Sequence, residues 1–206
     1  MPQNSPSQYP VAVASELDAV NTILSACGET PINSLDGRLP QDASMARNVL
    51  AETARSIQLE QWHFNTEEDF PLVPDINQEI NIPYNMVGVH FDASDSHDVI
   101  IRGKRLYDRA NHTYKFTETI NAQVTWILPF EEMPEHWRWY CTVRAARKFQ
   151  DRAIGSGDQH TFHSQDEMFA RNLAVREDHL QGRYALPNGQ STSFLNGWRV
   201  GDTLKR

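Results

Sequence analysis

Three acidic residues stand just before the most regular helical pattern of the chain: Glu131, Glu132 and Glu135. A pair of carboxylates is what glycoside hydrolysis requires, one as proton donor and the other as base or nucleophile. Carboxylates at a helix start are also stabilised by the helix dipole, with no substrate involved. Because Pro134 favours a helix start beside them, the dipole is the better explanation. Hydrolysis of a glycan, such as capsule or peptidoglycan, is therefore kept as the alternative function.

Two histidines, His160 and His163, are three residues apart and could share a metal ion. A zinc site needs three or four ligands, however, and the polar stretch around them, expected to be a loop, offers no cysteine. The sequence also contains neither a glycine loop that would cradle a phosphate nor a serine-hydrolase elbow. We therefore predict no catalytic residues, no metal site and no cofactor.

Basic residues follow in the same helical pattern and could contact DNA phosphates: Arg144, Arg147, Lys148 and Arg152. The helix dipole favours cations near a helix C-terminus, which explains this placement without a ligand. The net charge of −8 and the pI of about 5.4 argue against a protein held on nucleic acid by phosphate contacts. Binding of DNA through these residues stays open as another function class.

The pattern that these charged residues flank is a long amphipathic helix beginning near Pro134 and ending before Gly155. Apolar side chains recur at every fourth position on one face, with Tyr140 and Ala146 alongside. The members of this row are Trp137, Cys141, Ala145, Phe149 and Ala153. Alanines in the middle of the row predict that other helices pack closely against it.

Three further helices are predicted from caps and apolar spacing. The first begins at a capping box of Ser15 and Asp18 and ends before Gly28, and the second runs from near Asp42 to about Trp62. The fourth begins at Ser164, which has Glu167 three residues later, and ends at Gly182. Its apolar row, expected to face the core, consists of Phe169, Leu173 and Leu180.

From residue 63 onward the pattern changes to short β-branched and aromatic runs separated by turn residues. The clearest strand alternates apolar and polar residues between Ile120 and Leu128, so one of its faces should be buried. Gly103 marks a tight turn. The predicted strands cover residues 86–91, 99–102, 105–107, 113–116 and 120–128.

These elements predict an α+β fold, a four-helix body with an antiparallel β region inserted between its second and third helices and flexible termini. The expected divisions are an N-terminal arm (1–14), the first part of the body (15–62), the inserted β region (63–131), the second part of the body (132–182) and a C-terminal docking tail (183–206).

The last residues of the chain alternate apolar side chains with small, polar and basic ones. Burying these side chains would about offset the conformational entropy of ordering the segment, so added backbone hydrogen bonds, as in strand addition to a sheet edge, would be needed. We predict that this C-terminal strip docks on a partner through Phe194, Leu195, Trp198, Val200 and Leu204.

Two cysteines, Cys27 and Cys141, fall on apolar helix faces and are expected to be reduced, buried thiols in a reducing cytoplasm. The first residues lack the basic region and long apolar run of a signal peptide, so export by that route is not expected.

Several stretches taken together resemble the tail tubular protein A family of short-tailed podovirus phages, and they follow in the family's order over most of the chain. The matching stretches are 16–24 (ELDAVNTIL), 28–31 (GETP), 46–50 (ARNVL), 57–58 (IQ), 62–65 (WHFN), 106–109 (LYDR), 132–135 (EMPE) and 146–149 (ARKF).

This resemblance implies a virion tail protein, made in the host cytoplasm, that forms a dodecameric ring below the portal. It also implies docking to the nozzle protein, tail tubular protein B, help in seating the tail fibres, and passage of the genome through the ring during ejection. DNA would pass without sequence-specific binding, and no membrane insertion is implied.

Overall fold

The computed structural model describes residues 15–91, 98–153 and 157–184, with side chains in those ranges apart from 153–164 and 183–184. Its helices are α1 (Glu16–Ala26), α2 (Gln41–Gln58), α3 (Glu135–Ala153) and α4 (Gly157–Tyr184), and its strands are β1 (Thr66–Leu72), β2 (Met86–His90), β3 (Val99–Arg102), β4 (Arg105–Asp108) and β5 (Ile120–Trp126). This confirms the predicted α+β class, with two helices before the strands and two after. None of the described helices combines the length and the apolar character needed to cross a membrane.

Helix α3 lies at the centre of the helical body and packs against the other three helices. Its predicted apolar row is buried at Trp137, Cys141, Ala145 and Phe149, while the side chain of Ala153 lies outside the described residues. The carbonyl of Pro134, just before the first helical residue Glu135, accepts hydrogen bonds from the N–H groups of Trp137 and Arg138. Burial raises the pKa of the Cys141 thiol to about 12, so it stays protonated.

The predicted capping box of α1 is present. The Ser15 hydroxyl accepts a hydrogen bond from the Asp18 N–H at 3.1 Å, and the Asp18 carboxylate accepts one from the Ser15 N–H at 3.1 Å. Helix α1 ends as expected before Gly28, whose φ of 77° suits a glycine and lets the Glu29 N–H reach back to the Leu24 carbonyl.

The β region contains a three-stranded antiparallel sheet in the order β1-β5-β2 and a two-stranded β3–β4 sheet. The turn between β3 and β4 uses Gly103 with φ 65°, as predicted. Side chains from both sheets and from the loops between them share one apolar core, which includes Leu72, Ile82, Leu106 and Val124.

One predicted strand was wrong, and one observed strand was missed. Residues 113–116 form only isolated bridges, with Thr113 opposite Asp108 and Lys115 opposite Glu79, because the chain there is drawn into turns. Strand β1 was not predicted, because its acidic run and Pro71 disfavour a strand when the local sequence is considered without its pairing partner. Pairing with β5 overrides these local preferences, and a bulge between Glu67 and Phe70 accommodates them.

The fourth helix also differs from its prediction. It begins at Gly157 rather than Ser164, so His160 and His163 lie in a helix and not in a polar loop. Its buried face consists of Ala170 and Ala174, whereas Phe169 of the predicted core row is 71% exposed. Because α3 already supplies the large side chains of this contact, alanines let the two helices approach, and the larger apolar residues of α4 turn outward.

Candidate assembly surfaces

The acidic cluster before α3 holds the helical body together. Glu131 Oε1 accepts a hydrogen bond from the Glu16 N–H at 2.8 Å, which places this carboxylate at the start of α1 rather than of α3. Glu135 Oε2 accepts a hydrogen bond from Arg138 Nη2 at 2.7 Å, and Glu131 lies 3.8 Å from the same guanidinium. The Arg138 side chain is buried, so these carboxylates compensate a charge that would otherwise be costly.

The basic residues of α3 likewise pair with carboxylates of neighbouring helices. Arg144 lies 3.5 Å from both Glu60 and Glu167, and Arg147 also donates a hydrogen bond to Glu167. Lys148 and Arg152 lie 3.8 and 3.1 Å from Glu52 of α2. These cations therefore connect α2, α3 and α4. The helix-dipole explanation omitted these partners, since they lie far away in the sequence.

Other predicted site residues cannot be placed in a site. The side chains of His160 and His163 lie outside the described residues, and among the described side chains no group of three metal-binding residues comes together. The C-terminal strip (Phe194, Leu195, Trp198, Val200 and Leu204) and the N-terminal arm also lie outside the described residues.

One apolar surface, which we call the body patch, lies on α3 and α4 and consists of the exposed Trp139, Phe169 and Leu180 and the partly exposed Leu173. The three α4 members fall within about 40° around the helix axis. On the opposite flank of α4, Arg171 contacts Glu60 and lies over Trp62, so the body patch faces away from α2. On α3, Trp139 lies about 140° around from Arg144, whose partners are Glu60 after α2 and Glu167 of α4. Trp139 is 46% exposed, and we group it with the three α4 residues because α3 packs against α4.

A second exposed surface, the β patch, lies on the connection between β1 and β2 and consists of Val73, Ile76 and Tyr84. Ile76 is 98% and Tyr84 89% exposed. The turn that carries Ile76 is well ordered by Asp75, whose carboxylate accepts hydrogen bonds from the N–H groups of Asn77 and Glu79 at 2.8 and 2.9 Å. These bonds, the one from Glu79 first, hold the pKa of Asp75 below its usual value. No periodicity marks these residues in the sequence, so this surface was not predicted.

Large exposed apolar side chains on two unlike surfaces, over a body whose charged residues pair internally, are typical of a structural subunit of an assembly. The family model described as tail tubular protein matches residues 17–184. The chain therefore belongs to the tail tubular protein family and is a structural protein of a phage tail, which confirms the resemblance seen in the sequence. Tail tubular protein A of Klebsiella phage KP34 is a similar protein, 27% identical over 169 residues that cover 82% of this chain and 88% of that protein.

Proposed function

We propose that this protein is the ring-forming adaptor of a short non-contractile tail. The observation that carries the proposal is the pair of unlike apolar surfaces, the body patch on α3 and α4 and the β patch between β1 and β2. A closed ring of identical subunits with head-to-tail contacts needs two different surfaces on every copy. Isolated apolar residues on a monomer need no explanation, but two groups of this kind on separate elements favour assembly.

In this proposal the ring, a dodecamer as the family resemblance implies, connects the portal to the nozzle protein, tail tubular protein B, and helps to seat the tail fibres. The C-terminal strip is the candidate docking segment, through Phe194, Leu195, Trp198, Val200 and Leu204. The genome passes through the ring, and no cofactor is needed for that role.

Charge supports passage of DNA without retention. The chain carries a net charge of −8, and the α3 cations that could bind phosphates pair with Glu52, Glu60 and Glu167. Since each phosphate contact adds to DNA affinity, a channel surface with few uncompensated cations lets DNA slide. We infer that carboxylates rather than Arg144, Arg147 and Arg152 face the channel.

The test is to mix the purified protein with portal protein and to count the bound copies by native mass spectrometry. We expect a closed ring that forms only with the portal, and loss of ring formation in Phe169→Asp. The control is Asn172→Asp, an exposed change on the same helix outside the body patch, which should assemble normally. The absence of any portal-dependent oligomer, or normal assembly by Phe169→Asp, would argue against the proposal.

A further inference from the structure

The two sheets of the β region have four outer edges, and two of these are closed to pairing. The outer edge of β4 is covered by residues 80–82, since Ile80 accepts a hydrogen bond from the Leu106 N–H at 3.0 Å and Ile82 donates one to Lys104 at 2.8 Å. Strand β1 has a bulge, Pro71 and an acidic run from Glu67 to Asp69, which are the usual protections of an edge strand.

The other two edges are free among the described residues. Strand β2 pairs with β5 alone, with a register irregularity between Met86 and Gly88, and β3 pairs with β4 alone. Neither strand contains a proline or an acidic residue, and the segments that line the cleft are the partly exposed Val87–Val89 and Val99–Ile101, of which Ile101 is exposed. Edges without proline or acidic residues can accept an added strand through their outward backbone N–H and C=O groups.

Both free edges line the same cleft, which we call the strand groove. Its volume is about 340 Å³, and its lining residues are Leu59, Gln61, Val87, Gly88, Val89, His90, Val99, Ile100, Ile101 and Thr125. Leu59 and Ile101 are exposed, and the valines are partly exposed. The groove thus combines apolar side chains with two rows of backbone groups, which is the chemistry that binds an extended apolar segment.

The groove is held in shape at two places. At one end Gln61, whose φ of 63° is unusual for a residue other than glycine, places its amide 2.6 Å from His90 Nε2. Along one wall Gly88 allows close contact with Thr125, since a Cβ at position 88 would lie 3.0 Å from Thr125 Oγ1. Because the groove is already ordered, it loses little conformational entropy of its own when a partner binds.

We propose that the strand groove of one subunit binds the C-terminal strip, residues 194–204, of a second copy as an added β-strand. The strip alternates Trp198 and Val200 at strand spacing, and its apolar burial needs the backbone hydrogen bonds that the two free edges offer. The described helix α4 ends at Tyr184, and the ten residues from there to Phe194 span up to about 33 Å, enough to reach a neighbouring subunit. Strip and groove are also the two unlike surfaces that a head-to-tail contact needs. The inference rests on the ring assembly proposed above.

The test is disulfide trapping between full-length chains, all carrying Cys27→Ser because Cys27 is partly exposed. One chain carries Ile101→Cys in the groove and the other Val200→Cys in the strip, and the two are mixed with portal under mild oxidation. The control replaces Ile101→Cys by Thr117→Cys, an exposed position of the β region outside both the strand groove and the β patch. We expect at least a tenfold higher yield of the mixed dimer from the groove variant than from the control. Adding Trp198→Ala to the strip should lower the yield from the groove variant.

Equal yields from the groove and control variants, or a disulfide that forms only within one chain carrying both cysteines, would overturn the inference. If Ile101→Cys fails to fold by circular dichroism, Leu59→Cys on the other side of the groove gives the same test. If rings form but no disulfide joins the groove to the strip, this contact is rejected and the adaptor role stands. Trapped dimers without rings would support the contact and count against the ring.

Discussion

The side-chain amide of Gln58 makes a two-way hydrogen-bonded pair with the backbone of Leu128. Gln58 Nε2–H donates to the Leu128 carbonyl at 3.1 Å, and Gln58 Oε1 accepts from the Leu128 N–H at 2.7 Å. Gln58 is the last residue of α2, and Leu128 follows β5, so one buried amide joins the helical body to the β region. Asn65 reinforces this junction by donating to the carbonyls of Gln58 and Trp126, both at 2.8 Å.

Replacing Gln58 by Leu should lower the free energy of unfolding by about 1–3 kcal/mol, because the partly buried backbone groups of Leu128 would lose their partners. Gln165→Leu, at an exposed position of α4, should change it by less than about 0.5 kcal/mol. Urea denaturation measures both values. A cost for Gln58→Leu no larger than that of Gln165→Leu would show that the amide pair does not stabilise the junction.

The ion pair between Arg147 and Glu167 should have a larger coupling free energy than the more exposed pair of Arg109 and Asp98. Its side chains are 22% and 16% exposed, whereas those of Arg109 and Asp98 are 55% and 53% exposed. Double-mutant cycles to alanine should give a coupling of about 1–3 kcal/mol for the first pair and below about 1 kcal/mol for the second. Equal couplings would contradict a structural role for the α3–α4 pair.

A pH dependence follows from His136, which lies in the first turn of α3. Burial lowers its pKa below the usual value of 6.5, against the opposing effect of Glu177, Asp178 and Glu135. The unfolded chain therefore takes up this proton more readily than the folded one, so stability is full above about pH 6.5 and falls as the pH drops toward the folded pKa. His136→Gln should flatten the stability profile between pH 7 and the acid range, by comparison with His63→Gln. An unchanged slope in His136→Gln would rule this histidine out as the cause.

If the acidic cluster hydrolysed glycans, replacing its carboxylates would abolish activity. Its contacts indicate instead that these replacements affect stability only. Since Glu135 pairs with Arg138, Glu135→Gln should reduce stability modestly, by about 1 kcal/mol or less. Together with Glu132→Gln it should leave any glycan release by the purified protein unchanged, measured as reducing ends from capsule or peptidoglycan. Loss of such an activity in the double variant, with folding intact, would instead favour the hydrolase.

Local patterns predicted the elements that local interactions define. The α1 cap lies within four residues, and the buried row of α3 repeats along a single helix, so both could be read directly. The exposed face of α4 could not be predicted in this way, because the neighbouring helix determines which side of a helix is buried. Here Ala170 rather than Phe169 is buried on the side of α3. Periodicity alone favours the larger side chain.

The candidate surfaces depend still more on long-range structure. The strand groove arises from the strand order, which leaves β2 and β3 at free edges, and no residue spacing encodes that order. Ile76 is exposed because Asp75 orders the turn around it. Arg152 pairs with Glu52 of α2, and Arg144 pairs with Glu60 just after α2, both about a hundred residues earlier in the chain, so these pairings required the fold.

The most direct test of the adaptor role is a cryo-electron microscopy reconstruction of this protein bound to its portal. We predict a closed ring in which Phe169 of the body patch and Ile76 of the β patch are both buried at contacts between neighbouring copies. A complex without a closed ring, or a ring in which both side chains remain exposed to solvent, would contradict the account.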